Sequence, residues 1–255
     1  MRFAFKTAPQ HTTWADMLEV WRAADDIELF ESGWTFDHFY PIFSDSSGPC
    51  LEGWITLTAL AQATRRLRLG TLVTGIHYRH PAVLANMAAT LDIVSGGRLE
   101  LGVGAGWNEE ESGAYGIELG TPRERSDRFE EACEVLAGLL SPPEQFSFQG
   151  SYFELTDAMC NPKPVQQPHP PICIGGSGEK RTLRTAAGSP STGTSSAGRR
   201  SSSAGRGRCF ISTARTSAAT RPRSCSPATC AIRATRRRPR RPRRSWGQSD
   251  WTWPS

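Results

Sequence analysis

The sequence predicts an α/β fold in which a parallel sheet begins a (βα)8 barrel of the TIM type without completing it. Apolar runs alternate with helical patterns at regular spacing along residues 1–187. These runs are short and continuously apolar, as in strands that are covered on both faces. The clearest unit, residues 69–103, reads strand, helix, strand, and such a unit pairs its two strands in parallel. About five strands are recognisable, whereas a closed barrel of this type has eight.

The helical segments have sequence signals at their ends. Pro81 can open the third helix because the first helical position needs no N–H donor, and Gly96 and Gly97 can end it in the left-handed conformation. We expect strands at 3–5, 33–36, 69–73, 99–103 and 172–174, and helices at 13–29, 51–64, 81–94 and 123–140. The buried face of the first helix is expected to consist of Trp14, Leu18, Trp21 and Ala24. The buried face of the last helix is expected to consist of Phe129, Ala132, Leu136 and Leu140.

Two further segments interrupt the alternation before the fifth strand. Residues 146–155 alternate around Gln149 and Gly150, which predicts a hairpin. Residues 162–171 are rich in proline, which predicts an extended connector.

The composition changes after Ala187. Residues 1–187 hold 15 Lys and Arg against 24 Asp and Glu, whereas residues 188–255 hold 15 Arg and one acidic residue, Asp250. The second segment lacks Leu, Val, Met and Tyr, so it cannot bury a core and is expected to be a disordered, low-complexity Arg/Ser-rich tail. Its composition is typical of a G+C-rich gene read out of frame. We therefore predict that the tail follows a frameshift and that residues 1–187 are the only barrel domain.

Several classes of function are disfavoured by the sequence. Seven cysteines without a CxxC pair indicate reduced thiols, and His77 and His80 lack a third ligand at metal spacing, so we expect no metal. We find no signal peptide and no apolar run long enough to span a bilayer, which predicts a cytoplasmic protein without a membrane partner. The basic run 236–244 could bind nucleic acid, but it belongs to no recognisable module. A small molecule is therefore the expected partner.

Glycines follow two neighbouring strands of the predicted sheet. Gly102, Gly104 and Gly106 are spaced GxGxG, which fits the dinucleotide fingerprint neither in spacing nor in position. Such glycines serve tight turns or let a backbone approach a phosphate. The run 175–178 ends the fifth strand and opens directly into a helix, an arrangement that favours an anion site. Two such ends on adjacent strands suit one elongated, phosphorylated cofactor.

Asp37 and His38 follow the second strand at the same edge of the sheet. A histidine there can exchange a proton near neutral pH, and the adjacent carboxylate can orient it or contact a ligand. The alternative is a histidine that only caps the strand. Trp107 could stack on a ring or cover the rim, and residues 109–111, all glutamate, are expected to be the solvated first turn of a helix.

Three motifs occur in order along residues 1–187: WTFDHFYP, then LGTLVTGIHYRHPAVLANMAATLDIVSGGRLELGVGAGW, then LTDAMCNPKPVQQPHPPICIGGSGEKRTLR. This pattern resembles the luciferase-like monooxygenase superfamily, in particular its oxidoreductases that use the deazaflavin coenzyme F420. The resemblance implies a TIM-like barrel with an insertion after strand four. The cofactor would lie at the carboxyl ends of the strands, and a completed barrel could form a homodimer.

The resemblance also implies roles for individual residues. The deazaflavin ring would rest on a bulge after strand three, with a non-proline cis peptide expected at Gly75-Ile76. In the sugar-phosphate dehydrogenases of the superfamily, the Asp-His pair binds the cofactor through Asp and moves a proton through His, which here are Asp37 and His38. Those enzymes place a catalytic Glu where this chain has Trp107, so the substrate stays open. The residues expected at the cofactor phosphates are Gly104, Ala105, Gly106, Gly176 and Ser177.

The sequence thus predicts an oxidoreductase that moves a hydride between coenzyme F420 and a small organic substrate. Three alternatives remain at this point. The first is a monooxygenase of the same superfamily that uses reduced FMN and O2. The second is an inactive, frameshifted fragment, and the third is nucleic-acid binding through the basic tail. The substrate and the direction of hydride transfer are not determined by the sequence.

Overall fold

The computed structural model describes residues 3–176 and 210–211, which lie in one compact unit, Met1–Ala214. A second unit, Arg215–Ser255, includes the basic run 236–244 and lies outside the described residues, as does Ser177. The described strands are β1 (Phe3–Lys6), β2 (Phe30–Thr35), β3 (Arg68–Thr71), β4 (Thr74–Gly75), β5 (Leu99–Gly104), β6 (Gln145–Gln149), β7 (Glu154–Met159), β8 (Ile172–Gly175) and β9 (Phe210–Ile211). The described helices are α1 (Trp14–Asp25), α2 (Gly53–Ala63), α3 (Pro81–Val94), α4 (Glu109–Ala114) and α5 (Pro122–Leu140).

The main sheet has the order β1-β2-β3-β5-β8-β9, with β4 also paired to β5, and all of these pairs are parallel. The parallel α/β prediction is therefore confirmed, and the five expected strands are present. Beyond residue 187 the described residues add one short strand, β9. Phe210 and Ile211 are the only adjacent pair of large apolar residues in that segment, which makes them its best strand formers.

The strand predicted at 69–73 is interrupted in the middle. Leu72 and Val73 leave the ladder between β3 and β4 and are joined by the non-proline cis peptide. The cis bond was expected at Gly75-Ile76, and this expectation was wrong. Gly75 stays in the ladder as the partner of Gly104, so the bulge forms three residues earlier.

Glycines on the neighbouring strands make room for this bulge. A Cβ on Gly102 would lie 1.8 Å from the carbonyl oxygen of Thr71. A Cβ on Gly104 would lie 2.8 Å from Val73, and one on Gly175 would lie 2.7 Å from it. Real Cβ atoms do not approach other atoms so closely, so Val73 fills the space beside Gly104 and Gly175, and the carbonyl of Thr71 fills the space beside Gly102.

The helix ends agree with the sequence signals. Pro81 opens α3, and Gly96 and Gly97 follow it with φ of 67° and 82°. The first turn of α5 is a capping box of Thr121 and Glu124. Its inward face is as predicted, because Phe129, Ala132, Leu136 and Leu140 are all buried.

The inward face of α1 differs from the prediction. Met17, Trp21 and Ala24 are buried, whereas Trp14 is 39% exposed and Leu18 is only partly buried. The packing of α1 centres on Trp21, whose ring meets Phe5 edge-on at 5.2 Å between centroids. Trp14 lies two turns away at the start of the helix, and Leu18 faces sideways from this contact.

The hairpin before the last predicted strand is confirmed as β6 and β7, an antiparallel pair. It packs on α5, because the ring of Phe146 occupies the space beside Gly138. The turn is held by Glu131, whose carboxylate accepts from the N–H groups of 151–153 at 2.7–3.1 Å. None of the helices in the described residues is long and apolar enough to cross a membrane.

Candidate active site at the carboxyl edge of the sheet

The carboxyl ends of three strands bring the chemically active side chains together. His38 follows β2, Tyr78 and Arg79 follow β4, and Trp107 and Glu111 follow β5. In parallel α/β folds this edge is where ligands bind. The pairing of β2 to β3 and of β4 to β5 thus joins residues that are up to 73 positions apart in the sequence.

His38 is held by a buried carboxylate. Its Nδ1 lies 2.7 Å from Oε2 of Glu111, and the side chain of His38 is 9% exposed. A carboxylate only accepts hydrogen bonds, so Nδ1 carries the hydrogen. In the neutral ring, Nε2 is then the free acceptor, and no group among the described residues bonds to it.

Glu111 is the residue that the sequence analysis missed. Residues 109–111 were expected to be solvated, and this is wrong for Glu111, which is fully buried, while Glu109 and Glu110 are exposed. Successive helical residues point about 100° apart, so the third residue of a first turn can face inward while the first two face water. The side chain of Asn108 caps this turn by accepting from the N–H of Glu111 at 3.3 Å.

Three donors surround the carboxylate of Glu111. Besides His38, the N–H of Phe39 donates to Oε1 at 2.6 Å, and the hydroxyl of Tyr78 donates to Oε2 at 2.5 Å. Burial on its own raises the pKa of Glu111, but these hydrogen bonds outweigh burial and lower its pKa below the ordinary value. Burial and the bond to Glu111 raise the pKa of Tyr78, which therefore stays a protonated donor.

Asp37 is part of a separate ion-pair cluster. It is 1% exposed, and its two oxygens accept from Arg79 at 2.5 and 3.2 Å. Arg79 also lies 3.5 Å from Glu52, whose carboxylate caps α2 at the N–H of Ile55. Both oxygens of Asp37 are thus already bonded, and the cluster has one negative charge in excess.

Of the small residues expected at the cofactor, some are buried in the sheet and others are accessible to solvent. Gly75 and Ile76 are buried, and Gly104 lies inside the sheet between β4 and β8. Ala105 and Gly106 are partly exposed, and Gly176 is exposed. The accessible backbone therefore begins one residue after the strand ends, and the partly exposed bulge is Leu72-Val73, not Gly75-Ile76.

His77 fills the space between two of these glycines. Its ring lies 2.6 Å from the Cβ position of Gly75 and 2.4 Å from that of Gly106, and its Nε2 is 3.2 Å from Oγ of Ser112. Burial lowers the pKa of His77 to about 4, so the ring is neutral at physiological pH. Within residues 3–176 and 210–211, no three His, Cys, Asp or Glu side chains are grouped so as to hold a metal ion.

Aromatic rings enclose His38. Phe36 meets its ring edge-on at 5.2 Å and Trp107 at 5.7 Å between centroids. Trp107 is 51% exposed. The site therefore combines a fixed imidazole with an apolar surround that is open on the side of Trp107.

Comparison with known proteins identifies the family. A family model described as luciferase-like monooxygenase matches residues 1–242. The chain belongs to this family. The match extends beyond the 187 residues that the sequence motifs cover, and the parallel sheet and the site at its carboxyl edge agree with it.

Its relatives include F420-dependent enzymes. An F420-dependent glucose-6-phosphate dehydrogenase of Amycolatopsis mediterranei is 31% identical over 178 residues, which cover 69% of this chain and 52% of that protein. An F420-dependent hydroxymycolic acid dehydrogenase of Mycobacterium tuberculosis is 36% identical over 150 residues, which cover 58% of this chain and 40% of that protein. A solved F420-dependent secondary alcohol dehydrogenase, in complex with an F420-acetone adduct, has a TM-score of 0.62 at 27% identity, covering 76% of this chain and 57% of that chain. The chain spans about half the length of the curated relatives that it matches.

Proposed function

We propose that the chain is an F420-dependent oxidoreductase in which His38 transfers the proton that accompanies hydride transfer. The observation that supports this most directly is the Nε2 of His38, to which no group in residues 3–176 bonds and which follows a strand at the carboxyl edge, while Nδ1 is fixed by buried Glu111. A ring held in this way is oriented for proton exchange and has one nitrogen available for it. The F420-dependent relatives support the choice of cofactor.

The residues at the edge fit a deazaflavin with a phosphorylated tail. The bulge of Leu72 and Val73 is partly exposed in the middle of the edge, a support suited to a flat ring. Ala105, Gly106 and Gly176 offer accessible backbone suited to phosphate oxygens. Asp37 would contribute by holding Arg79, since both its oxygens are bonded to that guanidinium. The predicted contact of Ser177 lies outside the described residues.

When bound, the deazaflavin would supply the site that accepts or donates a hydride. The protein's own part is proton transfer at Nε2 of His38. Glu111 acts as a positioning residue, because its carboxylate fixes the hydrogen on Nδ1 and stabilises the imidazolium that forms when Nε2 takes a proton. Tyr78 donates to the same carboxylate oxygen and helps to keep Glu111 ionised.

Equilibrium titration of the purified 255-residue chain with F420 and, separately, with FMN tests the cofactor. We expect F420 to bind more tightly. Tighter binding of FMN would replace the proposal by the flavin monooxygenase alternative, and binding of neither would contradict both. The variant Ala105→Glu, which places a negative charge beside the expected phosphate, should weaken F420 binding. Glu154→Ala, an exposed substitution on β7, is the control that should not.

A further inference from the structure

Three buried side chains form one series of hydrogen bonds beside the bulge between β3 and β4. The indole N–H of Trp54 donates to Oγ1 of Thr74 at 2.9 Å. That oxygen lies 2.8 Å from Oγ1 of Thr71, and the hydroxyl of Thr71 donates to the carbonyl of Gly102 at 3.1 Å. Trp54, Thr71 and Thr74 are 3%, 1% and 0% exposed. We call this series the hydroxyl chain, and its bonds are shielded from water.

The direction of every bond in the hydroxyl chain is determined. An indole N–H only donates, and a carbonyl oxygen only accepts. The hydroxyl of Thr71 gives its one hydrogen to Gly102, so the bond between the two threonines has to be donated by Thr74. Thr74 thus accepts from Trp54 and donates to Thr71. Each hydrogen is used once, and removing any one group leaves a buried partner without its bond.

The hydroxyl chain joins the two ends of the bulge. Thr71 is the last residue of β3 and Thr74 is the first of β4, so the bond between their hydroxyls spans the two residues that leave the ladder. On the neighbouring strand, the carbonyl of Thr35 accepts from the N–H of Leu72 at 2.7 Å. The ends of the bulge are therefore held at a fixed separation, while the two residues between them stay partly exposed at the edge.

The helical turn that supplies Trp54 also packs against the segment before His38. Helix α2 begins at Gly53, and a Cβ on this residue would lie 2.5 Å from the carbonyl oxygen of Phe36 and 3.1 Å from Cα of Asp37. The missing side chain of Gly53 therefore lets α2 approach the main chain that leads to His38. One turn of helix thus contacts the segment of the proton-transfer residue and, through the indole, the bulge.

Resting on the proposed function, we propose that the hydroxyl chain fixes the bulge as the support of the cofactor ring and thereby places the ring relative to His38. Trp54, Thr74 and Thr71 are buried and act through the bulge, so they are positioning residues. The ring and the imidazole act on the same substrate molecule, and their separation therefore affects the rate strongly. Loss of one hydroxyl of the chain should loosen the bulge, weaken cofactor binding and change the surroundings of the ring.

Titration of the 255-residue chain with F420 tests this role through the variant Thr74→Val, which removes the central hydroxyl and keeps the shape of the side chain. We expect the Kd per folded molecule to rise roughly tenfold, the effect of about one hydrogen bond, and the visible absorption band of bound F420 to shift. Thr74→Ser restores the hydroxyl and should return both readings to those of the parent chain. Thr35→Val is the matched control, because Thr35 is equally buried and pairs with Thr71 in the ladder, but its Oγ1 has no hydrogen-bond partner among the described residues.

Hydrogen exchange of the cofactor-free chain gives a second reading that needs no ligand. The amide hydrogens of residues 72–76 should exchange roughly tenfold faster in Thr74→Val than in the parent chain, and at the parent rate in Thr35→Val. Trp54→Phe removes only the first donor and should act in the same direction, so it serves as the test if Thr74→Val does not fold.

Two results would overturn the proposed role of the hydroxyl chain. One is an unchanged Kd and absorption band in folded Thr74→Val and Trp54→Phe, even if their melting temperatures fall, because the chain would then act on stability alone. The other is an equal change in Thr35→Val. Failure of the parent chain to bind F420 would instead contradict the proposed function, and the exchange rates would then decide whether the hydroxyl chain holds the bulge.

Discussion

The buried and half-buried charged side chains at the two edges of the main sheet have different hydrogen-bond partners. At the amino edge, the carboxylate of Asp25 accepts from the N–H groups of residues 65–67 at 2.8–3.0 Å. Arg98 donates to the carbonyls of Ala61, Leu67 and Ser95. At the carboxyl edge, Glu111 bonds mainly to other side chains, and its partner His38 has one nitrogen to which no group in the described part of the chain bonds.

This difference distinguishes charged side chains that stabilise the fold from charged side chains that position a reacting group. The bonds of Asp25 and Arg98 connect the ends of α1 and α2 to the segments that precede the strands, and their partners are main-chain atoms, so these bonds hold the amino edge together. The bonds of Glu111 orient another side chain that has not used all its hydrogen-bonding capacity. Removing a charge from the amino edge should therefore lower stability, whereas removing one from the carboxyl edge should lower turnover.

The largest effect is expected for His38→Ala. Loss of the proton-transfer residue should lower kcat by roughly 10²- to 10⁴-fold, with little change in the Kd for F420. Turnover by the purified variant, measured beside its F420 titration, checks this. A kcat equal to that of the parent chain would remove His38 from the mechanism.

A smaller loss is expected for Glu111→Gln. The neutral amide no longer fixes the hydrogen on Nδ1 of His38, so kcat should fall about 10- to 100-fold while KM stays within about twofold. Glu111→Asp keeps the charge and should recover part of the loss. If both variants lose activity only in proportion to folded protein measured by circular dichroism, Glu111 has a structural role alone.

At the opposite edge, Asp25→Ala should affect stability and not turnover. It leaves three N–H groups without their acceptor, and we expect the free energy of unfolding to fall by about 1–3 kcal/mol. Urea denaturation gives this value, and kcat per folded molecule should equal that of the parent chain. A reduced kcat would show that the two edges are not independent.

The smallest effect concerns acid stability. The pKa values of Glu111 and Asp25 both lie below their ordinary values of 4.5 and 3.8, because hydrogen bonds outweigh burial. Each carboxylate therefore contributes stability that is present above its ordinary pKa and is lost as the pH falls through its lowered pKa. Melting temperatures recorded from pH 6 to 3 should fall less steeply in Glu111→Gln and Asp25→Asn than in the parent chain. Parallel curves would contradict the lowered pKa values.

Much of the fold could be predicted because it depends on local patterns. The apolar runs of β5 and β8, the proline start of α3 and the alternation of the hairpin each have a signal within a few residues. The edge that holds the site followed from the parallel pairing alone.

The part that could not be predicted depends on contacts between distant residues. Nothing near Glu111 shows that it faces a histidine 73 positions earlier, and three glutamates in a row are typical of a solvated turn. The one available signal was Asn108, a capping residue that sets which glutamate turns inward. The position of the bulge likewise depends on glycines of other strands.

The predicted frameshift concerns residues that lie, apart from β9, outside the described part of the chain.

The side chain of Val73 restricts which residues can replace the glycines Gly104 and Gly175 on two other strands. With valine at this position, neither Gly104 nor Gly175 can gain a Cβ, because each new atom would fall within 2.8 Å of the valine methyls. A change of Val73 to alanine would have to come first in any lineage that loses either glycine, and a change to isoleucine would make both losses harder still. Gly102 would remain fixed even then, since its obstacle is the main-chain oxygen of Thr71, which no side-chain substitution removes. Val73 thus limits substitutions at this edge together with the carbonyl oxygen of Gly175, which would lie 3.2 Å from a Cβ on Gly104.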